Sequence, residues 1–206
     1  MRGRPLVRAI RLGDVKAFRL LLLAAVFALG ALFGCRGAAA FAAADGQALS
    51  GFLTDCRGVW AADGAGISAG SCVLLYGGYT AAAFCLGFVG IGVVLIPLLA
   101  GCFGYLSMFT VACFAQVFGR DGVVLAAAVL LVRLVFTMPC FFAAACAAWP
   151  MAAELALPVR GRRAAAGASS GRSALLFVLC VAVLAAGVCC ERLVTPQLVR
   201  MALAAE

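Results

Sequence analysis

The sequence predicts an all-α, polytopic integral membrane protein. Of the 206 residues, 67% are apolar and 12% are charged, and the mean hydropathy is +1.17. A soluble domain of this length could not bury so much apolar surface. From Cys72 to Ala153 the only charged residues are Arg120, Asp121 and Arg133, and this stretch is long enough for three crossings of a hydrocarbon core about 30 Å thick. We expect about five transmembrane helices, with the N-terminus inside and a re-entrant or kinked fourth segment.

Apolar runs and polar intervals divide the chain into nine predicted segments. They are a basic cytoplasmic leader (1–17), a first transmembrane helix (18–34), an extracytoplasmic loop with an amphipathic helix (35–73), a second helix (74–98), a third helix (100–118), a re-entrant piece plus fourth helix (123–154), a basic cytoplasmic loop (155–173), a fifth helix (174–190) and an extracytoplasmic tail (191–206). This topology places ten of the sixteen Lys and Arg inside, five outside and Arg133 in the membrane. The excess inside agrees with the positive-inside rule.

The first predicted helix has two interpretations. The residues Leu32-Phe-Gly-Cys35 resemble a bacterial lipobox, and Ala38-Ala-Ala40 would suit signal peptidase. Phe33 is bulky for the lipobox position before Gly, however, and the basic leader is long. An uncleaved first helix is therefore the preferred interpretation, with cleavage as the alternative.

Small residues predict where helices approach closely. Gly30 and Gly34 form a Gly-x-x-x-Gly face on the first helix. Gly87 and Gly90 reduce the side-chain bulk on one face of the second helix. Faces of this kind let transmembrane backbones come together.

The polar loop contains one amphipathic stretch. Asp45 can cap a short helix whose apolar residues recur at helical spacing, namely Leu49, Phe52, Leu53 and Cys56. This stripe could rest on the membrane surface with Trp60 at the interface, which is the preferred interpretation, or it could dock a partner. The tail from Glu191 through Thr195 and Pro196 is the other candidate docking segment.

The remaining turns and the fourth segment follow from Pro, Gly and charge. Pro97 followed by Gly101 predicts the turn after the second helix, and 119–122 is a polar turn after the third. Val123 to Ala153 would span about 46 Å as one straight helix, which is too long for a single crossing. We therefore expect a short membrane-embedded or re-entrant piece to about Leu134, and a fourth crossing from there to about Glu154.

Three polar features mark this fourth segment. Pro139 removes a backbone donor, and Thr137 can satisfy a freed carbonyl. Arg133 near the joint costs about 2.5 to 3.5 kcal/mol to insert. It would serve as a clasp on backbone carbonyls, would snorkel, or would pair with lipid phosphate.

Several chemistries are excluded or disfavoured by composition. The chain has no histidine, and its eleven cysteines include no Cys-x-x-Cys pair, so we expect no catalytic triad, metal site or cofactor. Seven cysteines lie in or beside apolar runs, and a disulfide among Cys35, Cys56, Cys72 and Cys190 is an open alternative. The net charge of +8 suits the anionic membrane face rather than nucleic acid. We expect a protein that is not an enzyme and that has no small-molecule substrate.

The arrangement resembles the stage II sporulation protein M family. The resemblance lies in the first-helix sequence Phe27-Ala-Leu-Gly30-Ala-Leu-Phe-Gly34, the Gly-rich helix pair, the Pro-containing fourth segment and the ending Glu191-Arg-Leu-Val-Thr195-Pro196. It implies a multi-pass scaffold in a bacterial cell membrane, at the mother-cell septum during sporulation. Such a protein would anchor or recruit the peptidoglycan-degrading partners of the engulfment complex. The competing hypothesis is a small permease, or the membrane subunit of an ATP-driven exporter, in which Arg133 meets an anionic substrate.

Overall fold

The computed structural model describes residues 4–63, 69–156, 175–191 and 193, and these residues are helical apart from one turn. The helices are α1 (Arg4–Asp63), α2 (Ala69–Leu86), α3 (Gly92–Ala156) and α4 (Leu175–Glu191). Three stretches are long and apolar enough to cross a membrane: Ala17–Asp55, Gly92–Arg120 and Arg133–Ala156. The prediction of an all-α protein is therefore confirmed for the described residues, and the three apolar stretches agree with the predicted membrane location. Thr195, Pro196 and most of the basic loop 155–173 lie outside the described residues.

Helix α3 is a hairpin with its reversal at Gly119. The backbone there has φ 62° and ψ −131°, a conformation that a side chain would strongly disfavour. A Cβ atom on Gly122 would also lie 2.9 Å from Phe118 Cβ and would meet the Phe114 carbonyl. The reversal falls in the predicted polar turn, and it separates a first arm (92–118) from a second arm (120–156).

The second arm is one continuous helix of about 55 Å, and the first arm is about 40 Å long. The prediction of a re-entrant piece ending near Leu134 is therefore wrong. Pro139 lies inside the helix, and its exposed ring leaves the neighbouring helices undisturbed. A single missing donor is tolerated when the rest of the helix is packed. Both arms are longer than the hydrocarbon thickness of about 30 Å.

The turn between α2 and α3 comprises Gly87 to Ile91, ten residues before the predicted turn at Pro97 and Gly101. Glycine disfavours helix, and this stretch holds three glycines in six residues with Gly92 included. A Cβ atom on Gly92 would meet the Leu86 carbonyl. Pro97 instead lies just after the first turn of α3, where it removes only one hydrogen bond.

Helix α1 continues well past its predicted end at Gly34. Its backbone stays helical to Ala44, since the stretch after Cys35 is rich in alanine, the best helix former. At Asp45 the backbone is non-helical (φ −145°, ψ 48°), and a second helical part then runs to Asp63. The break lies at the position where the sequence predicted a helix cap.

Three clusters of buried side chains hold the helices to the hairpin, and one of them, formed by Tyr76, Cys140, Cys180 and Leu184, joins α2 and α4 to the second arm. The base cluster joins α1, α2 and both arms through Leu23, Ala83, Ile96, Ala100, Phe103, Phe141, Ala145, Ala148 and Ala152. The tip cluster lies toward Gly119 and consists of Ala38, Leu49, Leu53, Cys113, Phe114 and Ala126. Ile96 and Ala152 belong to the base cluster, whereas Phe114 and Ala126 belong to the tip cluster. The two arms are therefore antiparallel.

Candidate functional site

An ion pair joins the second arm of α3 to the end of α4. Arg133 Nη2 lies 3.4 Å from Glu191 Oε1, and the two side chains are 15% and 6% exposed. Cys140 also meets Cys180 in the same interface. Residue numbers therefore rise along α3 as they fall along α4. The two helices are therefore antiparallel, and the ion pair lies at the end of α4.

Helix α2 completes the site. The Arg133 guanidinium lies over the Tyr76 ring, 5.5 Å from its centroid, a distance that allows a cation–π contact. On α4, Gly187 makes room for this contact, since a Cβ atom there would lie 3.1 Å from Tyr76 Cε1 and 2.9 Å from Phe136 Cγ. Arg133 thus touches elements of both α2 and α4, and it connects three helices.

A second polar layer lies one helical turn along the interface. Thr80 follows Tyr76 by four residues on α2, and Thr137 follows Arg133 by four on α3, so each lies on the same face as its predecessor. Both threonines are 1% exposed. Within the described residues, neither hydroxyl has a hydrogen-bond partner, and the same is true of Arg133 Nε and Glu191 Oε2. The ion pair is therefore monodentate, without the second parallel bond that Arg and carboxylate can form.

The energetics explain why the two charges lie together. An unpaired Arg costs about 2.5 to 3.5 kcal/mol at the centre of a transmembrane helix. Breaking a buried ion pair by removing one partner costs about 3 to 5 kcal/mol. A buried Glu191 without Arg133 would face the same penalty, so each charge makes the burial of the other tolerable.

This arrangement corrects the predicted roles of two residues. Glu191 is 5% exposed and paired with Arg133, so it cannot belong to an exposed docking tail. For Arg133, a carboxylate is the partner seen, rather than a lipid phosphate or a backbone carbonyl. The missed signal was that Arg133 interrupts the otherwise uncharged run from Gly122 to Ala153, while Glu191 ends the uncharged run that begins at Ser173. Opposite charges at matching depths would be expected to pair.

The amphipathic part of α1 is also placed differently from the prediction. Leu49 and Leu53 are 7% and 5% exposed and belong to the tip cluster, where they pack with Phe114 of α3. They are therefore unavailable to a membrane surface or partner. Among the stripe residues whose side chains are described, Phe52 remains accessible, at 66% exposed. Trp60 lies in the same helix, but its side chain is outside the described set.

Gly30 and Gly34 lie where α1 crosses the first arm of α3. A Cβ atom on Gly30 would lie 3.0 Å from Gly101 Cα and would meet its carbonyl, and one on Gly34 would lie 3.0 Å from Phe109 N. On the facing side, a Cβ atom on Gly104 would lie 3.2 Å from Ala31 N. Sequence reasoning missed the facing glycines, although their spacing of three residues places Gly101 and Gly104 on one helix face.

Gly87 and Gly90 lie in the turn after α2, not within a transmembrane helix as predicted. They still lie close to the second arm of α3. A Cβ atom on Gly87 would be 2.9 Å from Ala148 Cβ, and one on Gly90 would be 3.4 Å from Ala156 Cα. The turn therefore rests against the base of the hairpin.

The nine cysteines whose side chains are described form no disulfide. Cys35 and Cys190 are free thiols, whereas the side chains of Cys56 and Cys72 are outside the described set. Cys140 and Cys180 each lie 3.8 Å from the backbone carbonyl of the other, in sulfur-donated hydrogen bonds. In the part of the chain that the structure describes, no three Cys, Asp or Glu residues gather as a metal site would require.

Comparisons with protein-family models, with curated proteins and with solved structures found no match for this chain.

Proposed function

We propose that the protein is a non-enzymatic membrane scaffold whose hairpin tip docks a partner outside the lipid. The resemblance to the stage II sporulation protein M family supports the finer proposal. In that proposal the partners are the peptidoglycan-degrading enzymes of engulfment, and the place is the mother-cell septal membrane. The observation that carries the scaffold role is the Arg133–Glu191 ion pair, because this Arg of the apolar second arm is used inside the fold.

The proposed topology has five crossings and an internal N-terminus. The first part of α1, α2, the two arms of α3 and α4 would be those crossings, with the tip cluster on the extracytoplasmic side. Helical rise supports this placement. From Ala156 to Arg133 the second arm rises about 35 Å, which already covers the hydrocarbon layer, and 120–132 adds about 20 Å beyond it. Reporter fusions at the two ends would contradict the topology if both ends were found in one compartment.

The proposed docking surface is the exposed side of the tip, with Phe52 as its anchor. Exposed aromatic residues are enriched where proteins bind one another. Leu49 and Leu53 hold the helix that presents Phe52, so replacing them would test folding and not docking.

Co-purification from sporulating cells tests this proposal. We expect the Phe52→Ser variant to be produced in normal amount and to lose the peptidoglycan-degrading partner that co-purifies with the unchanged chain. The matched control is Phe88→Ser, because Phe88 is 54% exposed in the turn at the opposite end of the hairpin. Undiminished recovery of the partner with Phe52→Ser would remove the tip as the docking surface.

The carrier hypothesis requires Arg133 to be open to an anionic substrate. Its pairing with Glu191 and its contact with Tyr76 favour the scaffold, because substrate would first have to displace a carboxylate. Transport that depends on Arg133 in a variant with intact helix contacts would reverse this preference.

A further inference from the structure

We infer that the Arg133–Glu191 pair is a latch that seats α4 on the rest of the protein and fixes its register. The inference concerns how the fold is completed, and it does not depend on which partner the tip binds. Its starting point is the small contact that α4 makes.

Helix α4 is buried along one narrow stripe. The buried residues follow each other at intervals of four, three and four: Cys180, Leu184, Gly187 and Glu191. Much of the rest of α4 consists of exposed apolar side chains, such as Leu175 and Leu179, which are 73% and 65% exposed. Lipid tails solvate such side chains as well as a protein surface does, so apolar contact alone gives α4 little reason to prefer its seat.

The seat has a charged end. On the receiving side, Arg133 lies beside Tyr76 and Phe136 and is 15% exposed. Before α4 arrives, this guanidinium has no carboxylate beside it among the described residues. Glu191 supplies one at the end of the buried stripe, so the polar contact forms only when α4 is fully seated.

The same contact selects one register. A slip of α4 by one turn would bring Gly187 or Val188 opposite Arg133 and would leave both charges unpaired. It would also remove Gly187 from the position where Phe136 and Tyr76 approach within 2.9 and 3.1 Å of an added Cβ atom. A single polar contact is known to specify register between helices in this way.

Native cysteines report whether α4 is seated. Cys140 and Cys180 face each other across the α3–α4 interface, with each sulfur 3.8 Å from the carbonyl of the other residue. A full-length chain that keeps only these two of its eleven cysteines would be treated with iodine in membranes. Iodine accepts two electrons from the two thiols, so a disulfide, two iodide ions and two protons are formed. After denaturation, trypsin cuts at the arginines between them, and only cross-linked fragments stay joined.

The outcome separates a latch from simple apolar fit. We expect Arg133→Met and Glu191→Leu each to slow cross-linking at least about tenfold, because each leaves one charge without its partner. The charge exchange Arg133→Glu with Glu191→Arg should restore much of the rate. The neutral double variant, Arg133→Met with Glu191→Leu, should stay slow. Arg120→Met and Glu154→Leu, which alter exposed charges on the same helix, are the controls and should have no effect.

A second cysteine pair guards against general misfolding. Phe41 and Phe109 lie 6.3 Å apart between ring centroids at the tip, so cysteines in their places report the α1–α3 contact. If single charge variants keep this contact and lose the α4 contact, the latch is supported. If they lose both, recovery of both in the exchanged pair supports it, and no recovery overturns it. Undiminished cross-linking in the single variants, or full cross-linking in the neutral double variant, would also overturn it.

Discussion

Alanine is more common among the buried residues at the base of the α3 hairpin than at its tip. Five of the nine buried residues of the base cluster are alanines, and large apolar residues such as Leu21 and Leu29 face outward there. The tip cluster has two alanines among its six buried residues, and its large members are Leu49, Leu53 and Phe114. In the proposed topology the base lies in lipid and the tip in water. In lipid, large apolar residues gain little by turning inward, so helices associate through close contact of small residues. In water, burying a leucine stabilises by about 1.5 to 3 kcal/mol.

The largest expected effect falls on the close packing of small residues where α1 crosses the first arm of α3. We expect Gly30→Leu to yield no folded protein, because its side chain would have to occupy the position of the Gly101 backbone. Backbone cannot move aside as a flexible side chain can. The measurement is the yield of monodisperse protein extracted in mild detergent.

The matched control is Gly51→Leu in the second part of α1, where nothing lies within 4 Å of the added Cβ atom. That variant should be recovered like the unchanged protein. Equal loss of both variants would mean that glycine content, and not the crossing, limits folding.

The tip should respond to side-chain volume. Leu53→Ala removes a buried side chain and should lower the free energy of unfolding by about 2 to 5 kcal/mol. Its neighbour Phe52 is exposed, so Phe52→Ala should change stability by no more than about 0.5 kcal/mol. Thermal unfolding of the two purified variants, side by side, measures the difference. A larger loss of stability for Phe52→Ala than for Leu53→Ala would mean that Phe52, and not Leu53, faces the tip cluster.

These two regions also show what sequence alone could and could not predict. Composition was enough for an all-helical membrane protein, and Gly30 with Gly34 was visible as a small-residue face. The turn at Gly87 to Ile91 was missed because Pro97 and Gly101 gave a stronger local turn signal than three spaced glycines. Periodicity identified the amphipathic stripe of α1, but it could not show that the stripe packs on α3 and not on a membrane surface or a partner. Pairing of Arg133 with Glu191 depends on which helices are neighbours, which is a tertiary property.

A smaller effect is expected where side chains, and not backbone, lie opposite a glycine. Gly187→Ala brings a methyl group within 2.9 Å of Phe136 Cγ and 3.1 Å of Tyr76 Cε1. Both rings can shift, so the free energy of unfolding should fall by about 1 to 3 kcal/mol. Gly77→Ala on α2 is the control, because nothing lies within 4 Å of its added Cβ atom. It should be neutral or slightly stabilising, as alanine favours helix.

The smallest effect concerns two threonine hydroxyls, the buried one of Thr137 and the exposed one of Thr110. Thr137 Oγ1 is buried and has no hydrogen-bond partner in the described part of the chain, whereas Thr110 Oγ1 donates to the Leu106 carbonyl at 2.9 Å. Replacing Thr110 by Val should therefore cost about 0.5 to 1.5 kcal/mol, the net value of one hydrogen bond. Thr137→Val removes an unpaired polar group of the same shape, and it should be neutral or stabilising by up to about 1 kcal/mol.

Thermal unfolding of Thr110→Val and Thr137→Val in the same detergent gives the sign directly. Because the two substitutions are chemically identical, differences in helix propensity cancel between them. A loss on Thr137→Val as large as that on Thr110→Val would mean that the Thr137 hydroxyl is satisfied in the folded protein. The interface beside Arg133 would then be more polar than the alanine-rich base cluster next to it. The change from polar to alanine-rich packing would lie one helical turn closer to the base.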